Sequence, residues 1–386
     1  MPALRGLRAV WLRRATVGLT LAAIALGGCG GGEPSGTDPG TAPTGIRFLA
    51  EGEDDGFARA TRPRSFRFPA DHGSHPEHRT EWWYYTGNLG TEDGRHFGFE
   101  LTFFRLALAP AAPESRSAWA TNQAWMAHFA VTDTARGRFV ASERFARGAL
   151  GLAGAEGTPP RVWVEDWHAV FADGERIALR AASGDTSIEL ELAALKPAVL
   201  HGDEGLDAKG PEPGNASYYY SLPRLDARGV LESGGERFEV RGLAWMDREW
   251  GTSALSAGVV GWDWFALQLE DGRDLMWYRL READGGTSPF SGGSLIDANG
   301  ARTALAADDA QLEPLGYWQS AATGVRYPVR WRLTIPRAEL ELVVEPVLDG
   351  QELALSVRYW EGAVRVTGLA GGREVRGSGY LELAGY

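Results

Sequence analysis

The chain has 386 residues and a formal net charge of −12, with 44% hydrophobic and 23% charged residues. It can therefore bury a core, but it offers no basic footprint for nucleic acid. Its one cysteine excludes internal disulfides, and its length suggests about two domains.

Arg5, Arg8, Arg13 and Arg14 precede an apolar run from Ala15 to Leu26. A basic start, a short apolar run and small residues after it make a secretory signal. The run is too short for a transmembrane helix, which needs about 20 apolar residues. Leu26-Gly27-Gly28-Cys29 resembles the bacterial lipobox, whose cysteine becomes the lipidated N-terminus, and Gly30 after it points to the outer membrane. Residues 1–28 are thus expected to be a lipoprotein signal peptide. Cys29 is expected to anchor the chain to the outer membrane, facing the periplasm. Residues 29–60 are rich in Gly, Pro, Ser and Thr before an acidic patch, and are expected to be a flexible linker.

The stretch His72–Asn88, HGSHPEHRTEWWYYTGN, sets three of the seven histidines and two glutamates directly before Trp82, Trp83, Tyr84 and Tyr85. Titratable groups running into four aromatics suggest a polar collar at the wall of an apolar cavity. The spacing of His75, His78 and Glu81 resembles a ligand set, but Pro76 argues for a loop, and neither a metal nor a cofactor is expected.

From Trp82 onward the hydrophobic period is two. Trp82–Leu89 and His96–Leu106 read as strands joined through Thr91-Glu92-Asp93-Gly94. Phe97, Phe99, Leu101 and Phe103 lie on one face, opposite His96, Gly98, Glu100 and Thr102. Further strands are expected at Trp125–Thr132, Arg161–Phe171, Arg176–Ala181 and Ser187–Leu192, with Asp173-Gly174 as a hairpin turn. Residues 196–217 read as a long loop, followed by strands at Tyr218–Arg224 and Arg237–Trp245. No long amphipathic helix is evident, so an all-β sandwich or barrel is expected.

Residues 82–106 and 262–280 each run Trp-rich strand, Asp-Gly-Arg turn, strand, Arg-Leu. This echo suggests two related β domains, 61–251 and 252–386. Five more strands are expected in the second: Tyr327–Ile335, Glu339–Pro346, Leu353–Tyr359, Gly362–Leu369 and Glu374–Leu383.

If Trp245–Trp250 is extended, Asp247 and Glu249 fall on one face and Arg248 on the other. Neighbouring carboxylates push their proton affinities apart, so one can hold a proton near neutral pH. His128 sits on a strand among apolar residues. Asp263 alternates with Phe265, Leu267 and Leu269, which would make it a buried acid if that face points inward. No serine stands in a G-x-S-x-G frame, and there is no nucleotide-binding glycine loop.

These segments resemble the AttH-like family of bacterial proteins, related to the carotenoid 1,2-hydratases. The resemblance is carried by FPADHGSHPEHRTEWWYYTGNL (68–89), GLAWMDREWG (242–251), GWDWFALQLEDG (261–272), YWEGAVRVTG (359–368) and GYLELAGY (379–386). It implies two lipocalin-like β-barrels side by side. In the hydratase relatives an acid protonates a C=C bond and water captures the cation, which aromatic faces stabilise. Carried over, Asp247 would be the acid, and Glu249, Glu81 and either His75 or His128 would orient water. Trp82, Trp83, Tyr85, Tyr219, Trp250, Trp262, Asp263 and Trp264 would line the ligand site. Two functions are compatible with this. One is a lipoprotein that binds a hydrophobic or lipidic molecule and works with an ABC transporter permease. The other is a hydratase or hydrolase acting by acid–base catalysis.

Overall fold

The structure, a computed structural model, describes residues 55–172, 176–253, 255–256 and 258–386. The signal segment, Cys29, most of the linker and the Asp173-Gly174 turn lie outside the described residues. Strands of the first sheet are β1 (Thr80–Gly90), β2 (His96–Ala107), β3 (Gln123–Asp133), β4 (Arg138–Arg147), β5 (Ala153–Gly157), β6 (Pro160–Val164), β7 (Trp167–Phe171), β8 (Arg176–Ser183) and β9 (Thr186–Ala194), then the short β10 (Val199–Leu200) and β11 (Leu206–Ala208), and finally β12 (Ala216–Ser233) and β13 (Glu236–Gly251). The second sheet holds β14 (Val259–Leu269), β15 (Asp274–Glu282), β16 (Gly292–Ile296), β17 (Arg302–Ala306), β18 (Gln311–Gln319), β19 (Arg326–Ile335), β20 (Leu340–Pro346), β21 (Glu352–Ala354), β22 (Arg358–Ala370) and β23 (Arg373–Ala384). No α-helix occurs among the described residues, which contain only two 3-10 turns.

The first sheet runs β4-β3-β2-β1-β13-β12-β9-β8-β7-β6-β5 and curls into a nearly closed barrel, while the second, β17-β16-β15-β14-β23-β22-β20-β19-β18, forms a half-barrel. The expected strand Arg161–Phe171 is two strands. Glu165 adopts a left-handed φ of 57° and, with Asp166, turns β6 back onto β7. Residues 196–217 are not all loop, because β10 and β11 pair with β12. The half-exposed edge strand β4 was not expected, since its sequence RFVASERFAR lacks a clean apolar face.

Strand alternation sorts most buried side chains into three large cores, beside two smaller clusters around Tyr359 and Trp250. Trp83, Tyr85, Phe97, Phe99, Leu101, Phe103 and Met246 fill the first barrel. Phe265, Leu267, Leu275, Trp277, Trp331 and Leu381 fill the second. The third core lies between the barrels, where Tyr84, Tyr219 and Trp245 from the first sheet pack against Trp264, Ala266, Met276, Tyr278 and Tyr380 from the second. Each contributing strand therefore has two buried faces, one inside its own barrel and one against the other barrel.

The barrels meet closely at Gly98. A Cβ built there would lie 2.6 Å from the Ala363 Cβ and 3.0 Å from the Tyr380 hydroxyl. Gly98→Val is therefore expected to wedge the barrels apart and to lower stability by about 1–3 kcal/mol, the usual cost of overpacking. Urea unfolding of the two proteins measures this.

Candidate functional site

The space between the barrels opens into a cavity of about 180 Å³. A closed apolar cavity of about 150 Å³ holds a benzene-sized molecule, so this one accommodates a ring or a branched alkenyl group. Trp82, Tyr84, Phe104, Tyr219, Trp262, Trp264, Tyr278 and Tyr359 supply aromatic walls, and Asp247, Glu249, Glu361, Glu382 and Lys209 supply the charged groups. The partly exposed Trp82, Phe104, Leu255 and Trp262 mark its mouth.

Register explains why these residues converge. Ser221, Asp247, Tyr84, Thr102, His128 and Glu143 are successive cross-strand partners in one row over β12, β13, β1, β2, β3 and β4. Tyr219, Glu249, Trp82 and Phe104 form a second row, two residues along each strand. In the second sheet Glu361, Glu382, Trp264 and Tyr278 form the facing row.

Asp247 is 4% exposed. The Tyr219 hydroxyl donates to its Oδ2 at 2.5 Å, and Trp245 Nε1 donates to Oδ1 at 2.6 Å. The Ser221 hydroxyl donates to Oδ1 as well. Burial pushes the Asp247 carboxyl from 3.8 to about 7, and the three hydrogen bonds offset only part of that push. Glu249 accepts from Ser217 Oγ at 2.5 Å and lies 3.4 Å from Lys209 Nζ. Burial raises its carboxyl too, because Lys209 is held more closely by Asp207, at 2.5 Å. Glu361 accepts a hydrogen bond from the Tyr84 hydroxyl. Burial drives Glu361, Glu382 and nearby Glu100 upward, and the charge of Glu100 pushes Glu361 and Glu382 further the same way. Among the described residues no cation offsets those acids, so they favour their neutral forms.

The residues grouped from sequence divide between the two faces of the wall. Asp247, Glu249, Trp82, Tyr219, Trp262 and Trp264 line the cavity. Glu81, His75, Trp83, Tyr85, Trp250 and Asp263 do not. Glu81, Trp83, Tyr85, Trp250 and Asp263 occupy the alternate strand positions and turn toward the barrel interiors, and His75 packs with them. Glu81 accepts from Arg248 at 2.6 Å and Arg105 at 3.0 Å, and His75 Nδ1 lies 2.8 Å away. Burial pushes the Glu81 carboxyl up, but Arg248, His75 and Arg105 reverse the sign and hold it below the ordinary range. The His75 ring stacks on Trp250 at 3.7 Å, and Arg248 lies 4.0 Å over Trp83. Asp263 likewise pairs with Arg279 at 2.6 Å inside the second barrel. Glu81–Arg105 and Asp263–Arg279 are equivalent cross-strand pairs in the two echoing hairpins. By the same alignment, Glu249 beside Trp82 corresponds to Glu382 beside Trp264.

His128 is fully buried behind the cavity wall, where it contacts the lining residue Tyr359, and burial lowers its imidazole to about 3. Sequence reasoning missed Tyr84, Lys209, Tyr278, Tyr359, Glu361 and Glu382. Matching the echoing hairpins would have pointed to Glu382 through Glu249. Among the described residues no group of three or more His, Cys, Asp or Glu is arranged to hold a metal.

Between pH 4 and pH 7 folded Asp247 keeps a proton that the unfolded chain releases. Its contribution to stability is therefore full below pH 4 and is lost as pH rises toward 7. Asp247→Asn should consequently gain stability relative to the wild type across that window and hold a constant difference above it. Urea unfolding at a series of pH values checks the sign.

The chain belongs to the AttH-like family, whose model matches residues 59–386. It is similar to the crystal structure of an AttH from Nitrosomonas europaea, with a TM-score of 0.76 and 36% identity over 86% of this chain and 100% of that one. Two curated relatives are kievitone hydratase of Fusarium solani subsp. phaseoli, 26% identical over 221 residues, and dehydratase asqC of Emericella nidulans, 26% identical over 220 residues. Each match covers 53% of this chain, and the chain spans only 59% and 60% of those relatives' lengths.

Proposed function

We propose that this AttH-like protein is a hydro-lyase that adds water to, or removes it from, a hydrophobic substrate bound between the barrels. The observation that carries this reading is Asp247, a carboxylic acid held neutral up to about pH 7 in an aromatic wall. A general acid works best when its proton affinity is near the working pH. Asp247 would give its proton to an alkene carbon, and the faces of Trp82 and Trp264 would stabilise the resulting cation. Tyr219, Ser221 and Trp245 would then hold the carboxylate formed, since all three already donate to it. The names hydratase and dehydratase among the relatives lend support to either direction of the same reaction.

Catalysis and anchoring are compatible. Cys29 would be lipidated and tether the barrels to the outer membrane on the periplasmic side. The lipobox-like Leu26–Cys29 segment also favours a second reading, in which the cavity carries an apolar or lipidic molecule for an ABC-type export system.

Incubation with kievitone, followed by mass spectrometry for the mass of one added water, separates the two. A hydratase converts it, and Asp247→Asn lowers the rate about 100-fold or more, the usual scale of acid–base catalysis. Equal binding by both proteins, seen as quenching of tryptophan fluorescence without conversion by either, would favour the carrier.

A further inference from the structure

Hydration needs a group that gives a proton and a second that takes one. Asp247 gives, burial pushes Glu361 and Glu382 toward their neutral, proton-holding forms, and Glu249 is engaged by Ser217 and Lys209. The second barrel supplies a different candidate. Tyr359 lines the cavity, and its hydroxyl lies 2.7 Å from His128 Nδ1. On the far side of the ring, His128 Nε2 has no hydrogen-bond partner among the described residues and faces Glu143 Oε2 at 4.0 Å. Glu143 is oriented by Ser356, whose hydroxyl donates to Oε2 at 2.5 Å. His128 is buried completely and Tyr359 is 5% exposed, so the bond between them is shielded from water, whereas Glu143 is partly exposed.

Resting on the hydro-lyase reading, we propose that Glu143, His128 and Tyr359 form a relay that takes the proton from the attacking water at the end of the cavity away from Asp247. The carboxylate of Glu143 favours the imidazole tautomer with its proton on Nε2, which leaves Nδ1 to accept the Tyr359 O–H. The phenol oxygen then turns its lone pairs to the cavity and accepts a hydrogen bond from water. Asp247 and His128 stand three strands apart in one row, which separates their Cα atoms by about 14 Å at normal strand spacing. Tyr84 and Thr102 floor the gap between them.

In the forward direction Asp247 transfers its proton to one alkene carbon, whose π pair forms the C–H bond. A water lone pair forms the C–O bond to the other carbon. The oxonium proton passes to Tyr359 as the Tyr359 proton passes to His128 Nδ1, so the product has gained one H and one OH. After the product leaves, the Nδ1 proton passes back through Tyr359 to cavity water, which returns one to Asp247. A protonated alcohol is a strong acid, so a weakly basic neutral imidazole suffices to take its proton. Tyr359 is then a catalytic residue, and His128 and Glu143 are positioning residues that act through it.

The test uses the full chain with kievitone in D2O. Tyr359→Phe should lose hydration about 100-fold while still exchanging deuterium into recovered kievitone, because protonation by Asp247 survives. Asp247→Asn should lose both. His128→Gln should follow Tyr359→Phe, with kcat reduced and KM unchanged. Hydration unchanged in Tyr359→Phe, or exchange lost together with it, overturns the relay. A second measurement needs no substrate. Long-range proton–nitrogen NMR of the histidine-labelled protein, with the His128 signal assigned by its absence in His128→Gln, should show the proton on Nε2. A proton on Nδ1 overturns the relay. A wild type that neither hydrates nor exchanges contradicts the hydro-lyase reading and the relay with it, whereas a proton on Nδ1 overturns the relay alone.

Discussion

The site depends on the period of two in strands that are buried on both faces. In β1 and β13 each residue points either into the first barrel or toward the second. The guanidinium groups that could neutralise an acid, Arg105 and Arg248, both fall on the inner face and are consumed by Glu81. The outer face keeps Asp247 and Glu249, with Lys209 beside Glu249. When the second barrel covers that face it removes water without supplying countercharge. Desolvation then outweighs the hydrogen bonds at Asp247 and keeps its proton on.

The wall formed by each hairpin and the strand paired with it has opposite electrostatics on its two sides, in both barrels. Glu81 and Asp263 are paired with arginine inside, while Glu249 and Glu382 are left acidic outside. The inner pairs hold hairpin to barrel; the outer acids converge on one cavity. The aromatic residues that separate them lower the local dielectric further, which strengthens both effects.

Much of this was legible in the sequence. Alternation set Asp247 and Glu249 opposite Arg248, set Asp263 with the inward Phe265, and marked the two hairpins as relatives. What misled was linear proximity. His75, Glu81, Trp83 and Tyr85 adjoin Trp82 in the chain, but His75 arrives through a loop and the others sit at odd positions of a strand whose even positions face the ligand space. Glu361 and Glu382 escaped notice because each stands directly among apolar and aromatic neighbours, in YWEGAV and YLELAG. Only the packing of one barrel on the other, which no local pattern encodes, reveals that both are buried. His128 was visible as a strand histidine, but its link to Tyr359 spans 231 residues.

The most direct measurement is the carboxyl carbon NMR titration of aspartate-labelled protein, with the Asp247 resonance identified by its loss in Asp247→Asn. The account predicts a midpoint near pH 7 for that resonance. A resonance already ionised at pH 5 would contradict it.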